Sequence, residues 1–192
     1  MITAIILAAG ASKRMGEHKM LMPWGKSTVL QTVISTLQTA GINDILVVTG
    51  EARLQIESLI GKTVQTTFNE AYEKSEMLRS VQVGLTVKMR EASAALICLG
   101  DQPQVKERTV RSICDAFLKN KSQIVVPSYE MQRGHPWLIA RPLWDELLEM
   151  KPPRTPRDFL KKYARKIHYV NVDTPSVIED LDTPEDYLKY KP

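Results

Sequence analysis

The sequence predicts an α/β protein with a mostly parallel central sheet flanked by helices on both faces. Three observations predict it. Short apolar runs rich in β-branched residues alternate with longer segments of helical period. Runs such as Ile5-Ile6-Leu7 and Ala94 to Leu99 show almost no polar alternation, as expected of strands covered on both faces. Finally, 192 residues, 43% hydrophobic and 25% charged, suffice for a single packed domain over residues 1–192 with no staple.

In chain order, the strand runs are Ile2 to Leu7, Asp44 to Val48, Thr63 to Thr67, Ala94 to Leu99 and Gln123 to Pro127. Between them, Ser27 to Ala40, Glu51 to Ile60, Ser75 to Arg90 and Val105 to Asn120 carry helical spacing. After about residue 128 the rhythm breaks. Met131 to Gly134 and Trp137 to Ile139 read as short extended pieces, and Pro142 to Met150 as a helix that stops before Pro152-Pro153. Thr155-Pro156-Arg157-Asp158 and Thr183-Pro184-Glu185-Asp186 are helix starts. Thr can accept from orphan amides, Pro fits the first turn, and the acid suits the dipole. Ile167 to Val172 is a further strand between them.

Composition excludes several function classes. The net charge of +4, from 26 basic against 22 acidic residues, is too mild and too interspersed for a nucleic-acid partner. Its parts are more telling. Residues 1–26 are locally +3, residues 173–186 are −6, and residues 151–166 are +6. Cys98 and Cys114, without Cys-x-x-Cys spacing, suggest a reduced interior. The apolar start lacks a basic n-region and a small-residue cleavage site, and no run reaches the ~20 residues a bilayer requires. The expected place is the cytoplasm, with no membrane partner.

The chemistry concentrates after the first strand. Leu7-Ala8-Ala9-Gly10-Ala11-Ser12-Lys13-Arg14-Met15-Gly16, with Lys19 following, puts small residues and three cations in one loop. Small residues admit a ligand close to the backbone, and the cations favour phosphate. A dinucleotide fingerprint would need glycine where Ser12 and Met15 stand; a P-loop would need glycine at Met15 followed by Lys and Ser or Thr. Neither fits, and the alternative to a phosphate loop is a basic strand-to-helix turn.

Two acidic centres lie further along. Asp101, in Leu99-Gly100-Asp101-Gln102-Pro103, sits at a strand exit, where it either holds a hard cation such as Mg²⁺ or opens a turn before Pro103. In Asp180-Leu181-Asp182, alternation puts both acids on one side, so either can reach a metal; Thr183, Glu185 and Asp186 read as helix cap. Met15, Met20, Met22 and Trp24 read as gap-filling hydrophobes, and His18 and His168 as ordinary histidines. The basic face of the helix from Thr155 is either solvated or placed to receive an anionic acceptor.

The loop from Leu7 to Gly16 with Lys19 resembles the signature of nucleotidyltransferases with a Rossmann-like, glycosyltransferase-A-type fold, the MobA-like NTP transferases, and the later landmarks follow in that family's order. The resemblance implies a three-layer fold with a nucleotide-binding half (1–127) and an acceptor-binding half (128–192). It implies that Leu7, Ala8, Ala9, Gly10, Ser12, Arg14, Lys19, Ser80 and Asp101 bind the nucleotide and that Arg14, Lys19 and Asp101 serve catalysis. It also implies that Asp101 and Asp182 share Mg²⁺, with Asp180 nearby.

Within the family, cytidylyltransferases of molybdenum cofactor synthesis carry Ala-Ala-Gly, Gly-Asp-Gln-Pro and Gly-His-Pro, matched by Ala8-Ala9-Gly10, Gly100-Asp101-Gln102-Pro103 and Gly134-His135-Pro136. Related guanylyltransferases usually show Ala-Gly-Gly and an Asn-rich counterpart of Asp180-Leu181-Asp182. The resemblance therefore implies CMP transfer from CTP rather than GTP to molybdopterin phosphate. It also implies that Gln102, Gly134, His135 and Pro136 line the acceptor site and that a molybdoenzyme or its chaperone is a further partner. His135 is alternatively a loop residue leading into the next strand. The other readings are a guanylyltransferase, a cytidylyltransferase for another phosphorylated acceptor, and a nucleotide-binding module without turnover. One departure stands out: Glu76-Met77-Leu78-Arg79-Ser80 replaces a Gly-Met-Ser-Ser-Ser-like segment, keeping Ser80 and Gly84. Arg79 there either replaces lost hydroxyl contacts or faces solvent.

Overall fold

A computed structural model describes residues 1–12, 14–74, 77–90 and 92–192. The chain starts with strand β1 (Ile2–Ala8), a two-stranded hairpin of β2 (Pro23–Trp24) and β3 (Ser27–Thr28), and helix α1 (Val29–Thr39). There follow β4 (Ile45–Thr49), α2 (Arg53–Ile60), β5 (Gln65–Phe68), α3 (Met77–Lys88), β6 (Ala94–Leu99) and α4 (Glu107–Asn120). The later chain forms β7 (Ile124–Tyr129), β8 (Gln132–Arg133), β9 (Trp137–Ala140), α5 (Trp144–Glu149), α6 (Pro156–Lys162), β10 (Ile167–Asn171) and α7 (Pro184–Tyr190).

The main sheet runs β10-β7-β9-β6-β1-β4-β5, with β8 beside β7. β1 lies parallel between β4 and β6, β5 extends it beyond β4, and β10 runs parallel to β7. β9 is antiparallel to both its neighbours, β6 and β7. The chain on either side of residue 127 therefore shares one sheet. Both sheet faces are covered. Leu30, Val33 and Ile34 of α1, Ile56 of α2 and Ile113 of α4 pack on one face; Leu85 of α3, Trp144 of α5 and Phe159 of α6 pack on the other. This double cover explains why Ile5, Ile6, Leu96 and Ile97 are all fully buried.

Close approach positions α3. A Cβ at Gly84 would come within 2.4 Å of Ile5 Cγ2, so only glycine lets this helix lie so near β1. Gln82 fastens α3 to α5, donating from Nε2 to the carbonyls of Leu147 and Met150 at 2.9 Å each. Both Thr-Pro helix starts are present: the Asp158 carboxylate accepts from Thr155 N at 2.8 Å, and Thr183 and Asp186 bond reciprocally. Two details differ from the pattern. Ser27 and Thr28 belong to the small hairpin, so α1 starts at Val29 with Thr28 as its cap, and the helix expected from Pro142 starts as a 3-10 turn over Arg141–Leu143.

Candidate active site

β1 delivers the chain to the carboxyl edge of the sheet. Leu7, Ala9 and Gly10 line a cleft there, whereas strand alternation turns Ala8 into the core beneath α1. Ser12 adopts a left-handed backbone, φ 46°, uncommon for a residue with a Cβ. Its carbonyl accepts from Met15 N at 2.9 Å and its Oγ from Lys19 N at 3.2 Å, so Ser12 shapes the loop that presents Lys19. Met20, 2% exposed, anchors the 3-10 turn Lys19–Leu21 in the core. Arg14 remains largely in solvent, and Lys13 lies outside the described residues.

β6 brings Asp101 to the same edge, since Gly100 N donates to Leu7 O at 3.1 Å. The distant acidic segment reaches it through backbone and core together. Leu181 N donates to the Asp101 carbonyl at 3.3 Å, and the Leu181 side chain is fully buried with Trp24 and Val29. Gln102 Nε2 donates to Asp180 Oδ1 at 2.7 Å and Gln104 Nε2 to Glu179 O at 2.6 Å. The α7 cap then fixes where Asp182 leaves the segment. Lys19 Nζ consequently bonds Asp101 Oδ2 and lies 3.2 Å from Asp182 Oδ1, while Arg14 lies 3.5 Å from Asp182 Oδ2.

Burial opposes the Lys19 charge, but Asp101 and Asp182 outweigh it and hold the ammonium above its ordinary range. Asp180 moves the other way. Burial and the neighbouring Asp101 push it up to about 6, against the hydrogen bond from Gln102. Among the described residues no group of three or more His, Cys, Asp or Glu gathers around a common point. Two carboxylates that already share one cation suit magnesium, which takes few protein ligands and completes its shell with water and phosphate oxygens. The donor set therefore fits Mg²⁺.

The cleft measures about 480 Å³ and has two unlike ends. Lys19, Asp101 and Asp182 make one end charged. Asn69, Tyr72, Met77 and Ser80 make the other uncharged. An anion with a metal suits the first, a flat heterocycle the second. Sequence reasoning picks out Ser80 but misses Asn69, Tyr72 and Met77. The available signal was a lone amide directly after β5, at the strand end where ligands of parallel sheets bind.

The residues expected to bind the acceptor lie beside this cleft rather than in its wall. A Cβ at Gly134 would come within 2.4 Å of Val177 O, and His135 N donates to that same carbonyl at 2.8 Å. The His135 ring stacks on Trp137 with centroids 4.0 Å apart, and burial pushes its pKa down to about 3, so it is a neutral imidazole at ordinary pH. Pro136 and Gln102 line a separate small cavity under α1 and α4. Leu78 is core and Arg79 is exposed; Glu76 lies outside the described residues. Met15, Met20 and Trp24 are buried, and both cysteines are free thiols.

Comparison with known proteins agrees with this geometry. Residues 4–167 match the MobA-like NTP transferase domain. The chain is 29% identical over 194 residues to the molybdenum cofactor cytidylyltransferase of Escherichia coli K12, covering 99% of this chain and 95% of that protein. It is 24% identical to a nicotine blue oxidoreductase of Paenarthrobacter nicotinovorans, over 96% of this chain and 93% of the other. The crystal structure of Rv0371c from Mycobacterium tuberculosis H37Rv superposes with a TM-score of 0.86 at 27% identity, covering 98% and 96% of the two chains. The manganese complex of Rv0371c superposes at 0.77, with 26% identity and the same coverage.

Proposed function

Because the chain belongs to the MobA-like NTP transferase family and is a nucleotidyltransferase, we propose that it transfers CMP from CTP to molybdopterin phosphate with Mg²⁺. The observation that carries this reading is the convergence of Arg14, Lys19, Asp101 and Asp182 from three separate stretches of chain at one end of one cleft.

In the reaction an acceptor phosphate oxygen attacks the α-phosphorus of the triphosphate. A new P–O bond forms there, the bond to the bridging β-oxygen breaks, and pyrophosphate leaves with the electron pair. Asp101 and Asp182 would hold magnesium, which supplies charge neutralisation at the phosphoryl oxygens when bound. Lys19 stays protonated beside them and offers its ammonium to the triphosphate. Arg14, largely solvent-exposed, can swing a planar donor fork onto the outer phosphates. No side-chain nucleophile is needed, because alignment of the two phosphates provides most of the remaining advantage.

CTP is the favoured donor because the loop carries Ala9 where the guanylyl enzymes usually carry glycine, and the E. coli relative bears a cytidylyltransferase name. For the acceptor, Arg154 and Arg157 line a neighbouring hollow of about 380 Å³ that shares Met77 with the main cleft. Arg157 is exposed and makes no ion pair among the described residues, leaving its guanidinium available to an anionic acceptor.

The test is pyrophosphate release from CTP, GTP, ATP and UTP with Mg²⁺, with and without molybdopterin. Release requiring both CTP and molybdopterin supports the proposal. A preference for GTP would sink the cytidylyl assignment, and release only with another phosphorylated acceptor would remove molybdopterin.

A further inference from the structure

The last helix, α7, is joined to the stretch that follows Lys19 through a small cluster of its own. Trp24, Val29 and the fully buried Leu181 form its centre, with Met22, Tyr187 and Tyr190 packed around them, apart from the two clusters that cover the sheet. Met22, Trp24 and Val29 follow Lys19 in the chain, while Leu181, Tyr187 and Tyr190 bracket Asp182. Tyr187 bridges the two halves. Its Oη donates to Pro23 O at 2.6 Å, and its ring centroid lies 6.2 Å from that of Trp24. Pro23 stands four residues after Lys19 and Tyr187 five after Asp182, so this contact closes a ring with the Lys19–Asp182 bond.

Asp182 sits where the anchoring of the chain changes. Upstream, Glu179 O, the Asp180 side chain and Leu181 N are tied to Gln104, Gln102 and the Asp101 carbonyl. Downstream, the chain turns at Thr183 into α7, and among the described residues of α7 none is buried. Tyr187 and Tyr190, one turn apart, face the hairpin, whereas Leu188 is 61% exposed. An element with few buried contacts opens at low free energy, independently of the core. The Asp182 side chain is half exposed, so its own packing does not hold it beside Lys19 and Asp101.

We propose that Tyr187 is a positioning residue: by seating α7 on the β2–β3 hairpin it holds Asp182 where that carboxylate can share a divalent cation with Asp101. The inference rests on the two-carboxylate metal centre read above and adds what assembles it. With α7 unseated, Asp101 keeps its place at the exit of β6 while Asp182 swings away. The apparent affinity for the cation therefore scales with the seated fraction of the helix. By the same linkage, a bound cation favours the seated helix.

The test pairs amide hydrogen exchange of the whole chain with Mn²⁺ binding in the presence of CTP, followed by paramagnetic resonance. In the metal-free wild type, the amides of α7 should exchange by local opening, about a hundredfold or more faster than those of β1 and β6. Mn²⁺ with CTP should slow them. Tyr187→Ala, which removes ring and hydroxyl, should speed exchange in α7 alone and weaken Mn²⁺ binding about tenfold. Tyr187→Phe, which keeps the ring on Trp24, should restore affinity to within about threefold of the wild type, the scale of one exposed hydrogen bond. In an Asp182→Asn background Tyr187→Ala should weaken Mn²⁺ no further, whereas in an Asp101→Asn background it should keep its effect.

Exchange of α7 only together with β1 and β6, an unchanged Mn²⁺ affinity in Tyr187→Ala, or an equal loss in the Asp182→Asn background overturns the inference. So does exchange in Tyr187→Ala that quickens throughout the sheet, the sign of a purely structural role. Failure of the wild type to bind Mn²⁺ at all would bring down the two-carboxylate centre itself, and this inference with it.

Discussion

The exits of β1 and β6 and the segment leading into β9 meet at one edge of the sheet, where Trp137 pairs with Ile97, yet they spend their polar groups in opposite ways. At the strand exits, Lys19, Arg14, Asp101 and Asp182 are satisfied mainly by one another, and Arg14 and Asp182 remain well exposed to solvent. A ligand can exchange the exposed Arg14–Asp182 contact for its own at little cost. Along Gly134-His135-Pro136, the groups are committed to the fold. His135 N is held by Val177 O, its ring is stacked and neutral, and Gly134 is pressed against the Val177 backbone. The two stretches thus differ in whether their polar contacts can be exchanged for those of a ligand.

The largest effect should come from the exchangeable side. Asp101→Asn and Asp182→Asn should each slow pyrophosphate release about 100-fold or more, because each removes a carboxylate that would hold the metal neutralising charge at the phosphoryl oxygens. Loss of activity in only one of them would break the idea of a shared centre. On the committed side, Gly134→Ala should cost roughly 1–3 kcal/mol by overpacking against Val177, read as a lower midpoint in urea. The KM of the folded fraction for the acceptor should not change. If that KM rises with stability untouched, the segment belongs to the acceptor site that the resemblance implies.

A finer contrast concerns the acceptor. Arg157→Ala should raise the KM for the acceptor about tenfold while leaving kcat within about twofold, as for the loss of one charge-assisted contact made equally in ground and transition states. A matching loss in kcat would place Arg157 on the reacting phosphates instead.

The smallest effect is electrostatic. Folding raises the Asp180 pKa to about 6, so the folded chain keeps a proton that the unfolded chain has already released. Ionised Asp180 therefore costs stability above about pH 6, and that cost fades as pH falls toward the ordinary carboxylate range near 4. Asp180→Asn should raise Tm by about one to two degrees at pH 7.5, with the gain vanishing near pH 4. A gain that grows on acidification would contradict the assigned direction.

How much of this was legible in the sequence depended on whether the determining contacts were local. The loop from Leu7 to Lys19 is contiguous, so small residues and cations in one stretch already point to an anion. The Thr-Pro helix starts and the doubly buried strands are equally local. The meeting of Asp101 with Asp182 is not, because it depends on Leu181 bonding the Asp101 carbonyl and filling a pocket between Trp24 and Val29. The place of β9 is also invisible locally: Trp137–Ala140 is apolar throughout, and such a run looks the same parallel or antiparallel. Asn69 escaped because its bonds to Ala71 and Ser80 depend on how the end of β5 meets α3, which no local stretch of sequence shows.

The most direct measurement is Mn²⁺ binding, as a magnetic reporter for magnesium, to the wild type, Asp101→Asn and Asp182→Asn in the presence of CTP, followed by paramagnetic resonance. If the two carboxylates form one centre, the wild type should hold the ion, and each variant should bind it about tenfold or more weakly. Binding of equal strength in either variant would contradict the shared site on which the account rests.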